Sequence, residues 1–176
     1  MNPLLPTPPA DHRVPALTAD VGQLEWRGHR FEALSGHELD ALYRARQLVF
    51  VLEQHCAYLD ADGCDSASFH LCAWASVASA APPLVLAYAR ILPPGLKYAE
   101  PSIGRVLTAA AVRGTGLGRE LVRRAVAQTQ RAFPGHAIRI SAQAHLEAFY
   151  AAAGFVRVGV PYLEDAIPHL EMLRAA

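Results

Sequence analysis

Hydrophobic periodicity is absent from residues 1–22 and present along the rest of the chain. The first segment is rich in Pro, Thr and Ala, a composition typical of a loosely structured tail. From about residue 23 onward, apolar runs and amphipathic stretches follow one another at the lengths of ordinary strands and helices. We therefore predict one folded domain over residues 23–176, preceded by a flexible tail.

Three stretches with apolar residues at a period near 3.6 predict helices, at residues 36–52, 117–132 and 146–153. The first begins with a capping box, in which the side chains of Ser35 and Glu38 can each satisfy a free backbone N–H group. Glycine and proline residues follow the other two stretches and predict where those helices end.

Apolar runs bounded by turn residues predict the strands. They lie at residues 25–27, 69–74, 84–92, 103–108, 138–141, 155–160 and 169–173. Strands and helices alternate in the second half of the chain, a pattern typical of α/β proteins with a mixed sheet. We expect a single α/β domain in which helices flank one sheet.

Charge and cysteine content narrow the functional classes. The chain has 16 basic and 16 acidic residues, and this balance argues against nucleic acid as a partner. It has no run of 18 apolar residues to span a membrane and no secretory signal pattern at its start. Its three cysteines cannot all pair, and their spacing does not match a zinc site. We expect a cytoplasmic protein without a metal.

A glycine-rich segment, residues 113–119, joins a predicted strand to the start of a predicted helix. Glycines let backbone N–H groups turn toward a ligand, and a helix N-terminus attracts phosphate. The segment therefore predicts a phosphate-binding loop. It lacks the Gly-Lys-Ser/Thr ending of a Walker loop and the third glycine of a dinucleotide fingerprint. A glycine turn that only caps the helix is the alternative.

A second motif lies downstream, where Phe149-Tyr150 is followed after three alanines by Gly154-Phe155. The two motifs, with a strand between them, resemble the paired signatures of the GNAT superfamily of N-acetyltransferases. Further stretches resemble the ElaA-like branch of that superfamily, at residues 49–54, 58–63, 87–92, 103–106, 142–146 and 167–169. The resemblance covers about residues 24–174 and implies the acyl-CoA N-acyltransferase fold, a single domain with a twisted mixed sheet flanked by helices.

The resemblance implies acetyl-CoA as the co-substrate. The pantetheine arm is expected beside the strand that carries Val106, Leu107 and Thr108. The pyrophosphate is expected on the loop formed by Arg113, Gly114, Thr115, Gly116, Leu117, Gly118 and Arg119. Gln143 stands where family members often have an asparagine near the pantetheine, a departure that keeps the amide group.

The resemblance also implies direct transfer of the acetyl group to an amine within a ternary complex. Tyr150 is expected to protonate the leaving thiolate, because a phenol stays protonated at neutral pH. A simple core aromatic is the alternative for this residue. The Leu107 N–H is expected to polarise the acetyl carbonyl. The base that accepts the amine proton is left open among Glu53, His145 and His169.

The acceptor amine is not identified by the sequence. His169 and Arg105 are candidates to bind it, although a structural ion pair is the alternative for Arg105. Acidic residues form two groups in the sequence, Glu53, Asp60, Asp62 and Asp65 in the first and Glu164 and Asp165 in the second. Together they predict a mouth that attracts an amine, and solvated turns are the alternative. The first group does not match the spacing of a calcium loop.

Competing functions are an acyl-CoA sensor without turnover and a nucleotide-binding domain. A homodimer is an open alternative to a monomer.

Overall fold

The computed structural model describes residues 24–75 and 84–176, so the predicted tail lies outside the described residues. The strands are β1 (Leu24–Arg30), β2 (Phe69–Ala75), β3 (Leu84–Leu92), β4 (Ser102–Thr108), β5 (Ile138–Gln143), β6 (Val156–Glu164) and β7 (Ile167–Arg174). The helices are α1 (Gly36–Arg46), α2 (Leu117–Ala132) and α3 (Glu147–Ala151).

All seven strands form one sheet in the order β1-β2-β3-β4-β5-β7-β6. Every neighbouring pair is antiparallel except β4 and β5, which run parallel. Helix α1 packs on one face, against a cluster that includes Trp74, Tyr88 and Leu107. Helix α2 packs on the other face and buries the apolar side chains that the sequence pattern assigned to its inner face. The mixed sheet with flanking helices confirms the predicted fold class.

The first helix begins as predicted and ends earlier. Its capping box is present, since the Ser35 Oγ accepts from the Glu38 N–H at 3.3 Å and the Ser35 N–H donates to Glu38 Oε2 at 2.9 Å. After Arg46 the chain continues as a wider π-helical segment, Gln47–Glu53, instead of an α-helix. Wider turns of this kind often occur at functional sites.

We expect Ser35→Ala to lower the free energy of unfolding by about 1 kcal/mol, because the alanine leaves a helical N–H group without its partner. Urea denaturation monitored by circular dichroism measures this loss. Ser66→Ala is the matched control, because this exposed serine is outside any helix cap, and it should change stability by less than about 0.5 kcal/mol. Equal stability for both variants would contradict a stabilising cap.

The last two strands are longer than predicted, because they form a hairpin with a turn that the sequence pattern did not indicate. The turn residues Asp165 and Ala166 both have positive φ, at 49° and 62°. Two-residue turns of this kind normally pair Asn, Asp or Gly with a following Gly. Asp165 fits the first position, but Ala166 occupies the position of the glycine and removes the usual signal. The third predicted helix is shorter than expected, because residues 144–146 form a 3₁₀ turn before α3 begins.

Candidate active site

The two central strands, β4 and β5, are paired only at their beginning. Ser102 and Arg139 are opposite one another, and the Arg139 N–H donates to the Pro101 carbonyl at 3.0 Å. Beyond this point no further ladder pair joins the strands, so backbone groups on their facing edges are left for a ligand. The Arg139 guanidinium donates to Glu100 and to Glu171. These bonds connect β5 to the segment before β4 and to β7 at the closed end of the gap.

A cleft occupies the gap between β4 and β5. It is lined by residues of both strands, of the β6–β7 hairpin and of the segment that follows α1. Of the residues for which a role was predicted, Arg105, Val106, Gln143, Tyr150, Glu164, Asp165 and His169 line it. The structure therefore brings two residues predicted to lie beside the pantetheine (Val106 and Gln143), the predicted acid and one candidate base into the same cavity.

The glycine-rich loop leads from β4 to the N-terminus of α2. Gly114 and Gly116 have φ values of +80° and +92°, a region that other residues rarely adopt. A Cβ at either position would meet nothing within 4 Å, so the backbone conformation and not a lack of space requires glycine. Gly116 caps α2 without a side-chain bond. The first N–H groups of the helix have no partner within it and can bind phosphate.

The two arginines of the loop are in different environments. Arg113 donates to the Thr108 carbonyl at 3.1 Å and forms an ion pair with Glu53 at 2.5 Å. Arg119 is exposed, and it forms no ion pair with any residue that the structure describes. Its guanidinium is therefore available to a phosphate, whereas that of Arg113 has a carboxylate partner already.

Tyr150 is buried and extends toward the cleft. Its ring packs edge-on against Phe149 and Phe155, with centroid distances of 5.0 and 6.1 Å. No described residue forms a hydrogen bond with its hydroxyl, which belongs to a cleft-lining side chain. Burial raises the pKa of Tyr150 to about 12, so the hydroxyl keeps its proton at neutral pH. Its ring is thus part of the aromatic core, and its hydroxyl is protonated at neutral pH.

The three candidate bases differ in their surroundings. His169 lines the cleft and stacks on Tyr162 with ring centroids 6.0 Å apart. Its Nδ1 lies 2.9 Å from the Ile167 carbonyl, and because a carbonyl only accepts, Nδ1 carries the proton and Nε2 keeps a lone pair. His145 is exposed and does not line the cleft, and Glu53 is held by Arg113.

Gln143 contacts a residue that the sequence reasoning missed. Its Nε2 donates to Oε1 of Gln54 at 3.1 Å, and both side chains line the cleft. Gln54 lies in one of the stretches that resemble the ElaA-like branch, but neither the resemblance nor its residue type gave it a role in the site. The bond joins the segment after α1 to β5 and closes one side of the cleft.

Three aspartates that the sequence analysis assigned to a mouth or a solvated turn have another role. Each one bridges two arginines, so that six side chains form a closed ring of alternating charge. In order around the ring they are Arg46, Asp65, Arg90, Asp62, Arg105 and Asp60. Arg46 and Arg90 are 0% and 2% exposed, and a buried charge needs a partner. We call this cluster the arginine–aspartate ring.

The ring corrects two expectations. These aspartates do not form a free amine-attracting mouth, because each is ion-paired with two arginines. Asp60 and Asp65 are also buried, so they do not belong to a solvated turn. Arg105 is engaged by Asp60 at 2.7 Å and by Asp62 at 3.2 Å, which favours the structural ion pair over acceptor binding. Arginines at apolar positions of a predicted helix and strand, Arg46 and Arg90, were the signal that buried partners exist.

Two aspartates of the ring, Asp62 and Asp65, are held in the charged form. Burial alone would raise the pKa of Asp62, but hydrogen bonds from Arg90 and from the Cys64 N–H outweigh it and hold that pKa below its usual range. Burial is likewise outweighed at Asp65, where bonds from Arg90 and Arg46 lower the pKa. Both carboxylates therefore stay ionised at neutral pH.

The second acidic group lies at the cleft. Glu164 and Asp165 are exposed at the β6–β7 turn and line the cavity. Glu164 Oε2 is 3.5 Å from Ser141 Oγ, and neither carboxylate forms an ion pair within residues 24–75 and 84–176. These two residues are consequently free to attract a cation, in contrast to the aspartates of the ring.

The described part of the chain contains no helix that is long and apolar enough to cross a membrane. Among the same residues, no group of three or more His, Cys, Asp or Glu side chains is arranged to hold a metal ion.

The family model described as "Acetyltransferase (GNAT) domain" matches residues 94–175. The UPF0039 protein of Synechocystis is 43% identical over 151 residues, which is 86% of this chain and 95% of that protein. Protein ElaA of Escherichia coli is 36% identical over 153 residues, with 86% and 96% covered.

Similar solved structures belong to the same family as these relatives. The crystal structure of an acyl-CoA N-acyltransferase from Pseudomonas aeruginosa is 41% identical, with a TM-score of 0.79 over 87% of this chain and 100% of that chain. The crystal structure of Escherichia coli ElaA has the same TM-score of 0.79 over 86% of this chain and 99% of that one. This chain therefore belongs to the GNAT superfamily of acetyltransferases, together with the ElaA and UPF0039 proteins.

Proposed function

We propose that the protein is an N-acetyltransferase that moves the acetyl group of acetyl-CoA to an amine. The observation that carries this proposal is the cleft between the unpaired edges of β4 and β5, which Tyr150 lines, together with the glycine-rich loop that follows β4. We take the loop and this cleft as the acetyl-CoA path. The loop suits a pyrophosphate, and the unpaired backbone edges suit the amides of a pantetheine arm. A phenol in the cleft suits a leaving thiolate.

The proposed reaction is a direct attack. The neutral amine forms a bond to the acetyl carbon, the carbon–sulfur bond breaks, and Tyr150 donates its proton to the sulfur. Nε2 of His169 accepts the proton that the amine loses. Cys56 also lines the cleft, but burial raises the pKa of its thiol, so little thiolate forms and an acyl-cysteine route is disfavoured.

We further propose that the acceptor end of the cleft is at the β6–β7 hairpin. Glu164 and Asp165 add negative potential there, which favours an acceptor with positive charge. The acyl-CoA sensor remains the second candidate, because it requires only the coenzyme path and not the two proton-transfer groups. The cytoplasmic location and the oligomeric state stay predictions.

Thermal unfolding with and without acetyl-CoA tests the coenzyme site. A ligand that binds only the folded protein at a hundredfold excess over its Kd adds about 2.7 kcal/mol of stability. We expect Tm to rise by roughly 5–10 °C with acetyl-CoA. ATP should give no comparable shift, because the loop lacks the Lys-Ser/Thr pair that a nucleotide triphosphate requires.

Two glycine variants make this measurement specific to the loop. Gly116→Ala forces an alanine into positive φ and should reduce the acetyl-CoA shift. Gly36→Ala is the matched control, because Gly36 has open space and an ordinary φ, and it should keep the full shift. A larger shift with ATP than with acetyl-CoA would favour the nucleotide-binding alternative. A shift with acetyl-CoA but no acetylation of any amine would favour the sensor.

A further inference from the structure

Strand β4 contains a bulge beside the cleft. Tyr88 of β3 is opposite Leu107, whereas Arg90 is opposite Gly104, so two residues of β4 face one residue of β3. The extra residue is at Arg105 or Val106. Arg105 has a φ of +51°, a left-handed conformation that is strained for a residue with a side chain.

The bulge decides which way the following residues point. Successive side chains of a regular strand alternate between its faces, so residues three apart lie on opposite faces. Ile103 and Val106 are three apart, yet both pack in the core on the α2 face. Leu107 packs in the core on the α1 face. Loss of the bulge would therefore turn Val106 and Leu107, two predicted pantetheine contacts, to the wrong faces.

The side chain of the strained residue is held from several directions. The Arg105 Nε is 2.7 Å from Asp60 Oδ1, and its Nη2 is 3.2 Å from Asp62 Oδ2 and from the Asp60 carbonyl. The guanidinium lies over the Tyr58 ring, 5.1 Å from its centroid. These contacts fix the direction in which the Arg105 side chain leaves the backbone.

The two aspartates are themselves anchored in the core. Asp60 accepts from Arg46 Nε at 2.7 Å, and Asp62 accepts from Arg90 Nη2 at 2.6 Å. Arg46 belongs to α1 and Arg90 to β3, so the arginine–aspartate ring connects the bulge to two elements of the fold. The Asp62 N–H also donates to the Asp60 carbonyl at 3.0 Å, which makes their segment compact.

We propose that the arginine–aspartate ring is a positioning device for acyl transfer, and that Arg105, Asp60 and Asp62 are positioning residues. By holding Arg105 in the left-handed conformation, the ring keeps the bulge and so orients the β4 backbone that faces the acetyl-CoA path. The inference rests on the proposed function for its effect on turnover. It makes a separate prediction about coenzyme affinity.

Two substitutions at the same position distinguish positioning from acceptor binding. Arg105→Ala removes the contacts to the ring and leaves a residue that resists positive φ. Arg105→Gly removes the same contacts but adopts positive φ without strain. If the side chain acts through the backbone, glycine should restore what alanine loses. If it binds the acceptor, both variants should lose the same contact and show the same increase in KM for the amine.

We expect Arg105→Ala to weaken acetyl-CoA binding about tenfold and to lower kcat about a hundredfold, because a displacement near 1 Å has effects of this size. Arg105→Gly should recover both quantities to within about threefold of the wild-type protein. Calorimetric titration gives Kd, and steady-state kinetics give kcat and the KM of the amine. Both are measured below the unfolding transition of every variant. A purely structural role predicts equal losses in both variants, since both break the same ion pairs.

Asp62→Asn provides a second route to the same answer, because it keeps the size of the side chain and removes its charge. We expect a smaller loss in kcat, with an unchanged KM for the amine. Arg131→Ala, at the exposed end of α2, is the control and should match the wild-type protein. Equal acetyl-CoA affinities in Arg105→Ala and Arg105→Gly would overturn the positioning role even if the protein is an acetyltransferase. Absence of turnover in the wild-type protein would instead overturn the proposed function, and the affinity comparison would still decide the role of the ring.

Discussion

Tyr150→Phe is expected to lower kcat by about 10²–10⁴-fold while the Kd for acetyl-CoA stays within about threefold of the wild-type value. The substitution removes one hydroxyl group and leaves the ring that packs against Phe149 and Phe155. Without that hydroxyl, the thiolate of coenzyme A loses its proposed proton donor. Binding depends on the loop and the strand edges, which the substitution does not touch. Steady-state kinetics and calorimetric titration measure the two quantities.

The pH dependence of kcat in the wild-type protein tests the same role of Tyr150. Burial raises the pKa of Tyr150 to about 12, so its hydroxyl remains protonated as the pH rises from 7 to 10. Loss of this proton should therefore cause no decrease in kcat over that range. If the acid had the pKa of an ordinary phenol, near 10, kcat would begin to decrease between pH 7 and 10.

Tyr43→Phe is the matched control for Tyr150→Phe. The Tyr43 hydroxyl donates to Asp65 at 3.1 Å outside the cleft, so its removal should affect stability and not turnover. Retention of more than a tenth of the activity in Tyr150→Phe would contradict the assigned role. A wild-type protein that binds acetyl-CoA and acetylates no amine would indicate the sensor.

Arg46→Leu is expected to lower the free energy of unfolding by about 3–5 kcal/mol. Arg46 is fully buried and donates to Asp60 and to Asp65, at 2.7 and 2.8 Å. Leucine fills part of the volume but leaves oxygen atoms of both carboxylates without a donor in the interior. For a chain of this size, the decrease in Tm should be roughly 6–20 °C. Urea denaturation and thermal unfolding measure it.

The effect of Arg46→Leu should depend on pH in a defined direction. The pKa of Asp65, which accepts a hydrogen bond from Arg46, is lowered in the folded protein, because bonds from Arg90 and Arg46 outweigh the effect of burial. The stability that this pair contributes is therefore present above the ordinary aspartate pKa, near 4. It is lost as the pH falls below that value. The difference in stability between the wild-type protein and the variant should therefore narrow in acid.

Arg123→Ala is the control for this prediction. Arg123 also pairs with a carboxylate, that of Glu120, but both side chains are on the surface of α2. Surface pairs of this kind contribute little, so stability should change by less than about 1 kcal/mol. A loss in Arg46→Leu no greater than that in Arg123→Ala would show that the ring does not stabilise the fold.

Local patterns were sufficient for most of the secondary structure. The period of the apolar residues identified α2 and its inner face, and the capping box at Ser35 identified the start of α1. These features depend on residues three or four apart, whose relation is set by helix geometry. The β6–β7 turn was missed because Ala166 adopts positive φ at the position where a glycine normally follows Asp in such a turn.

The candidate site was predicted in part, for a related reason. The glycine-rich loop and Tyr150 belong to short motifs, so their residues could be recognised together. Gln54 ends one of the stretches that resemble the ElaA-like branch, but the resemblance gave it no role, and its partner Gln143 is 89 positions away. The choice of His169 over His145 and Glu53 as the proposed base depends on which side chain reaches the cleft, and neither residue type nor spacing contains that information.

By itself, the sequence determined the family, the order of most elements and the need for glycine in the glycine-rich loop, because each of these depends on neighbouring residues. Only the tertiary structure decided the partners of the charged groups. Arg105 and Asp62 are 43 positions apart, and Arg90 and Asp65 are 25 apart. Such pairs form where sheet register and helix packing bring side chains to within 4 Å. The same six charges could have remained solvated in a different fold, and here burial made them a closed ring.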